Sequence, residues 1–112
     1  MVQQLPVSQF QAWCASQAAG RPVVLDVREA WELQSASVQA RGFDLQWIAM
    51  GEIAQRLDEI PRDRPIACLC HHGMRSMQVA RFLEQQGFED VVNVQGGIDA
   101  WSSSVDPTVP RY

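Results

Sequence analysis

Cysteine is scarce in this chain, and so is positive charge. Three cysteines among 112 residues is an odd number, which argues against a disulfide framework. Thiols kept reduced are either buried small hydrophobes or chemically used. Nine basic residues against thirteen acidic ones leave a net charge of −4. That balance argues against a broad nucleic-acid surface, which needs clustered Lys and Arg. It leaves room for a small, locally positive anion site. No apolar run is long enough to cross a membrane. The opening MVQQLPVSQF lacks the basic start and long apolar stretch of a signal peptide. The expected setting is therefore cytoplasmic, with no membrane and no nucleic-acid partner. Repeats, low-complexity stretches and an internal linker are also missing. What is present is a 46% hydrophobic chain, enough for one modest core without help from metal or disulfide. Its length suits a single domain, expected over 1–101, with 102–112 as an extended C-terminal tail.

Strand-like and helix-like patterns alternate along the chain. Ser8 opens a helical pattern, with Gln11 as a weak capping box. Phe10, Trp13, Cys14 and Gln17 share one face, and Gly20 and Pro22 end it. Val23-Val24-Leu25-Asp26-Val27 is short, apolar and β-branched, a buried parallel strand. A short helix is expected over 29–33 and a strand over 42–48. Ile53, Leu57 and Ile60 repeat at helical spacing, which predicts an amphipathic helix from Glu52 to Pro61. Residues 65–69 form the next buried strand. A helix over 75–86 then turns Met77, Ala80 and Leu83 inward and stops at Gly87. Val91-Val92-Asn93-Val94 is a last strand, and Gly96-Gly97 leads into a helix holding Ile98 and Trp101. This alternation is the α/β signature of a mostly parallel sheet covered on both faces.

The segment Leu69-Cys70-His71-His72-Gly73-Met74-Arg75-Ser76 joins a strand to a helix. Ligands of open α/β sheets sit at the C-terminal ends of strands. A cysteine there meets a helix N-terminus, whose unpaired N–H groups and dipole favour an anion. The thiolate is the form such a site favours. Gly73 lets the backbone turn its N–H groups inward as a nest. Arg75 adds a permanent charge and a planar fork of donors. A structural thiol is the alternative role for Cys70, but such a thiol needs no Arg five residues later.

With the early segment Leu25-Asp26-Val27-Arg28-Glu29, followed by Trp31-Glu32, and the late Gly96-Gly97-Ile98-Asp99-Ala100-Trp101, this loop resembles the rhodanese family across nearly the whole chain. The resemblance implies a rhodanese-like fold with a central parallel sheet of about five strands and helices on both faces. It implies a sulfurtransferase in which Cys70 takes a sulfane sulfur as a persulfide and passes it to a thiophilic acceptor. The donor is then thiosulfate or a persulfide, and the acceptor cyanide or a thiol, with a protein persulfide among the candidate partners. No cofactor or metal is implied. The loop residues His71, His72, Gly73, Met74, Arg75 and Ser76 would form the cradle and its entrance. Cysteine phosphatases of related architecture place five residues between Cys and Arg; here four intervene. That makes phosphatase or arsenate reductase chemistry the weaker reading. The stretch Ala36 to Phe43 lacks the His-x-x-Gly-Ala segment many members carry. His71 and His72 stand where thiosulfate-preferring members tend to carry permanent cations, which favours a persulfide donor.

Other residues have plainer roles. Asp26 ends a buried strand and needs a cation or backbone N–H partner; Arg28 is the candidate. Cys68 and Cys14 read as core, as do Trp101 and, core or half-buried, Trp13, Trp31 and Trp47. A zinc site from Cys68, Cys70, His71 and His72 is disfavoured because structural sites use well-separated ligand pairs. A non-catalytic interaction module remains the main rival, set against the retention of both Cys70 and Arg75.

Overall fold

Three short apolar runs, rich in β-branched residues, must be buried on both faces of a sheet, and two strands of more polar sequence close its edges. The computed structural model describes residues 2–17 and 20–112. The strands are β1 (Gln3–Pro6), β2 (Val23–Asp26), β3 (Asp44–Trp47), β4 (Ile66–Leu69) and β5 (Val91–Gln95). They lie in the order β1-β5-β4-β2-β3, and every pairing is parallel. Among the described residues four α-helices accompany them: α1 (Phe10–Ser16), α2 (Ala30–Ser35), α3 (Met74–Gln85) and α4 (Gly97–Ser104). The α/β class and the parallel five-stranded sheet agree with the sequence expectation.

The two-residue period of the strands divides the core between two faces. Val23, Leu25, Ile66, Cys68 and Val91 pack with Val79, Ala80 and Leu83 of α3 on one face. Val24, Ala67, Leu69, Val92 and Val94 pack with Phe10, Ile98 and Trp101 on the other. The connection after β2 sends Ala36, Val38 and Phe43 to this second face, whereas the helix after β4 covers the first. Neighbouring strands whose connections leave on opposite sides create a crevice at their C-terminal ends. Cys70 follows β4 directly and lies at that crevice.

Several sequence expectations change. β1 was not foreseen, since two glutamines and a proline make a poor strand signal. At the sheet edge Leu5 alone needs full burial within it, and an edge strand tolerates Pro. Ser8 does not cap the first helix: Val7–Gln9 is a 3-10 turn and α1 starts at Phe10 with no side-chain cap. The expected helix from Glu52 to Pro61 is instead two 3-10 turns, Met50–Glu52 and Leu57–Glu59. Their three-residue repeat still buries Ile53 and Ile60, so apolar spacing alone did not distinguish them from an α-helix. Trp31 stands 62% exposed rather than in the core. The segment 102–112 is not an extended tail. α4 runs to Ser104, Ser102 Oγ donates to the Val109 carbonyl, Val109 is buried, and Tyr112 bonds to Glu32 and Arg28.

Candidate active site

β4 delivers Cys70 into the core, 1% exposed, and the chain then turns sharply to start α3. Gly73 occupies the position before the helix at φ +100°, a conformation that disfavours a side chain. This turn points the Gly73 N–H back at Cys70 Sγ, 3.0 Å away. Ser76 Oγ, in the first turn of α3, lies 3.2 Å from the same sulfur. It also lies 2.5 Å from Asn93 Oδ1. A hydroxyl has one proton, so Ser76 can donate to Asn93 while its lone pair faces the thiol, or donate to the sulfur once the thiol is ionised. Asn93 Nδ2 donates to the Gly73 carbonyl at 3.1 Å and to Gln4 Oε1 at 2.8 Å. The turn that aims the N–H at the sulfur is thereby tied to the central sheet.

From behind, α4 supports the loop. Ile98 and Asp99 N–H groups donate to the carbonyls of Cys70 and His71 at 2.8 and 3.1 Å. Gly97 makes this approach possible. A Cβ there would lie 2.4 Å from both carbonyl oxygens, well inside van der Waals contact.

Arg75, expected in the cradle around the sulfur, is held by a buried carboxylate. Its guanidinium forms a bidentate pair with Glu32, Nη1 to Oε1 at 2.6 Å and Nη2 to Oε2 at 2.8 Å. Glu32 is itself buried and belongs to a capping box with Glu29 at the start of α2. Arg75 holds the Glu32 carboxyl down at about 2, with Tyr112 and the Glu29 N–H helping against burial. The same pair keeps Arg75 firmly protonated, and a thiolate at Cys70 adds to that.

Asp26 and Arg28 form a fully buried ion pair, Nη2 to Oδ2 at 2.7 Å. Arg28 also donates to the carbonyls of Glu32 and Ala36 and to Tyr112 Oη. Burial opposes its charge, and the bonds to Asp26 and Tyr112 more than offset that. The pair supports the loop's surroundings and makes no contact with the thiol among the described bonds.

His71 is half-buried, sandwiched between the rings of His72 and Tyr112, each centroid 3.9 Å away. Burial and the neighbouring His72 push its pKa down, so it is mostly neutral. His72 and Met74 are exposed. His71, His72 and Asp99 bring potential ligand atoms within 4.8 Å of one another. The two rings are near-parallel at 22°, so their in-plane lone pairs do not converge. Asp99 is moreover engaged by Nε and Nη2 of Arg111. Cys68 is core, with its thiol pushed up by burial. Cys14 is half-buried, pushed up to about 11 for the same reason.

Of the expected loop residues, Cys70, Gly73 and Ser76 meet at the sulfur, Arg75 and His71 lie beside it, and His72 and Met74 face outward. Sequence reasoning missed Asn93, Tyr112 and the pairing of Glu32. Asn93 had a signal: an amide inside the run VVNV must find a partner when buried.

The rhodanese-like domain model matches residues 10–104. The chain is 39% identical over 92 residues to the rhodanese-like/PpiC domain-containing protein 12, chloroplastic, of Arabidopsis thaliana, covering 80% of this chain but only 30% of that protein. It is 33% identical over 89 residues to the thiosulfate sulfurtransferase GlpE of Pseudoalteromonas translucida, covering 80% and 81% of the two chains. A solved rhodanese-related protein from Thermoplasma volcanium matches with a TM-score of 0.78 at 29% identity, over 98% of this chain and 99% of that one.

Proposed function

Because the chain belongs to the rhodanese-like domain family, we propose that it is a sulfurtransferase in which Cys70 carries the transferred sulfur. The Cys70 thiolate attacks the outer sulfur of a persulfide donor. The donor's S–S bond breaks, its thiolate leaves, and Cys70 holds a persulfide. An acceptor thiolate or cyanide then attacks that outer sulfur and returns Cys70 as thiolate. Sulfur moves as a neutral atom, so no electron carrier is needed, and one transfer is divided into two easier ones.

One observation carries this reading: the Gly73 N–H is aimed at Sγ from 3.0 Å at the N-terminus of α3. An N–H so placed can hydrogen-bond the negative charge on sulfur as it develops during transfer. A persulfide is the better donor than thiosulfate. Arg75 is already neutralised by Glu32, and His71 is mostly neutral, so little free positive charge awaits a dianion.

The test is intact-mass spectrometry after incubation with glutathione persulfide and, separately, with thiosulfate. Wild-type protein should gain one sulfur atom, more readily from the persulfide, and lose it to cyanide. Cys70→Ser should gain none. The burial of Cys70 is the observation favouring a non-catalytic interaction module. No added sulfur from either donor, with Cys70 shown to be reduced, would move that reading to first place.

A further inference from the structure

The segment after α4 returns to the loop and ends its path on two of the loop's flanks. Three contacts fix that path. Val109 is buried and its carbonyl accepts from Ser102 Oγ, and Arg111 pairs with Asp99 through two nitrogens at 3.0 and 3.1 Å. Tyr112 is thus delivered to a defined place. Its ring lies on His71, 3.9 Å between centroids and 10° from parallel. Its hydroxyl donates to Glu32 Oε2 at 2.6 Å and accepts from Arg28 Nη1 at 3.0 Å. Glu32 in turn grips Arg75. His71 is the first residue after Cys70 and Arg75 the fifth, so one tyrosine holds both sides of the turn that aims Gly73 at the sulfur.

We infer that Tyr112 is a positioning residue for sulfur loading of Cys70, its ring setting His71 and its hydroxyl setting Arg75 through Glu32. This rests on the sulfurtransferase reading for its consequence, but not for its geometry. The two arms are separable. Tyr112→Phe keeps the ring and removes the hydroxyl, and Tyr112→Leu removes both.

Two measurements test the inference on the full chain. The first records the imidazole proton resonances of His71 by NMR, with no donor present. Stacking against Tyr112 should shift them upfield in the wild type and in Tyr112→Phe. They should move downfield in Tyr112→Leu. The second measures loading of Cys70 from glutathione persulfide over a range of concentrations, per folded molecule. The maximal loading rate should fall at least about tenfold in Tyr112→Leu, the scale of a misplaced reacting group, and by less in Tyr112→Phe. Half-saturating donor concentration should change little in either variant. Unmoved His71 resonances in Tyr112→Leu would overturn the ring's part, and wild-type loading in both variants would overturn the whole inference. Wild-type protein that takes no sulfur sinks the parent reading instead, while the NMR arm still reports on the ring's hold on His71.

Discussion

Glu32 carries the clearest electrostatic consequence of any single residue. Its carboxyl sits at about 2 in the fold against an ordinary 4.5, chiefly because of Arg75. A folded-state value below the unfolded one means the ionised form stabilises the fold. That stabilisation is complete above about pH 5 and fades as pH falls toward 2, with an upper size of about 3 kcal/mol. Urea unfolding across pH 2–7 should therefore show wild type and Glu32→Gln furthest apart near neutrality and converging in acid. A constant gap would mean that Glu32 acts by shape and not by charge. The sequence showed Glu32 only as part of the early segment, 25–32, that carries the family resemblance. Its role depends on Arg75, forty-three positions away, and no local pattern encodes that meeting.

At the scale of elements, the β4–α3 turn and the start of α4 fit together backbone to backbone. Gly97 sits at φ +62° with no room for a Cβ against the Cys70 and His71 carbonyls. Gly97→Ala should cost more than about 2 kcal/mol, combining steric overlap with a left-handed conformation. It should also lower sulfur loading in whatever fraction remains folded, because α4 would push the turn away from β4. Chemical denaturation together with intact-mass loading checks both. Undiminished loading in a destabilised protein would show that α4 supports the fold and not the turn. The Gly-Gly pair was visible in the sequence as a helix start. The partner it leaves room for was not, since close approach of two backbones has no composition signal. The segment 50–60 illustrates the opposite failure: its apolar spacing was read correctly, yet the backbone chose 3-10 turns that satisfy the same spacing.

For the whole molecule, the buried Asp26–Arg28 pair joins the end of β2 to α2 and to the returning segment at Tyr112. Removing one partner leaves an uncompensated charge in the core. Arg28→Met should destabilise the protein by about 3–5 kcal/mol, and adding Asp26→Leu should recover a large part of that. Urea midpoints for the single and double variants provide the measurement. No recovery in the double variant would mean that Arg28 matters for its bonds to the carbonyls of Glu32 and Ala36 more than for its charge.

The sequence by itself determined the α/β class, four of the five strands, the fall of Cys70 at a strand-to-helix turn, and the glycine that lets the turn close. These follow from local periodicity and from residues whose backbone preferences are intrinsic. It also placed Asp26 and Arg28 as candidate ion-pair partners two residues apart, close enough for sequence to suggest the pair. Only the tertiary structure decided that Arg75 pairs with Glu32. It likewise decided that Asn93 ties the turn to the sheet, and that residues 105–112 fold back so that Tyr112 reaches His71. Those arrangements join groups distant along the chain. Such contacts are set by how the sheet orders its strands and which side each connection takes, and that ordering is a property of the packed whole.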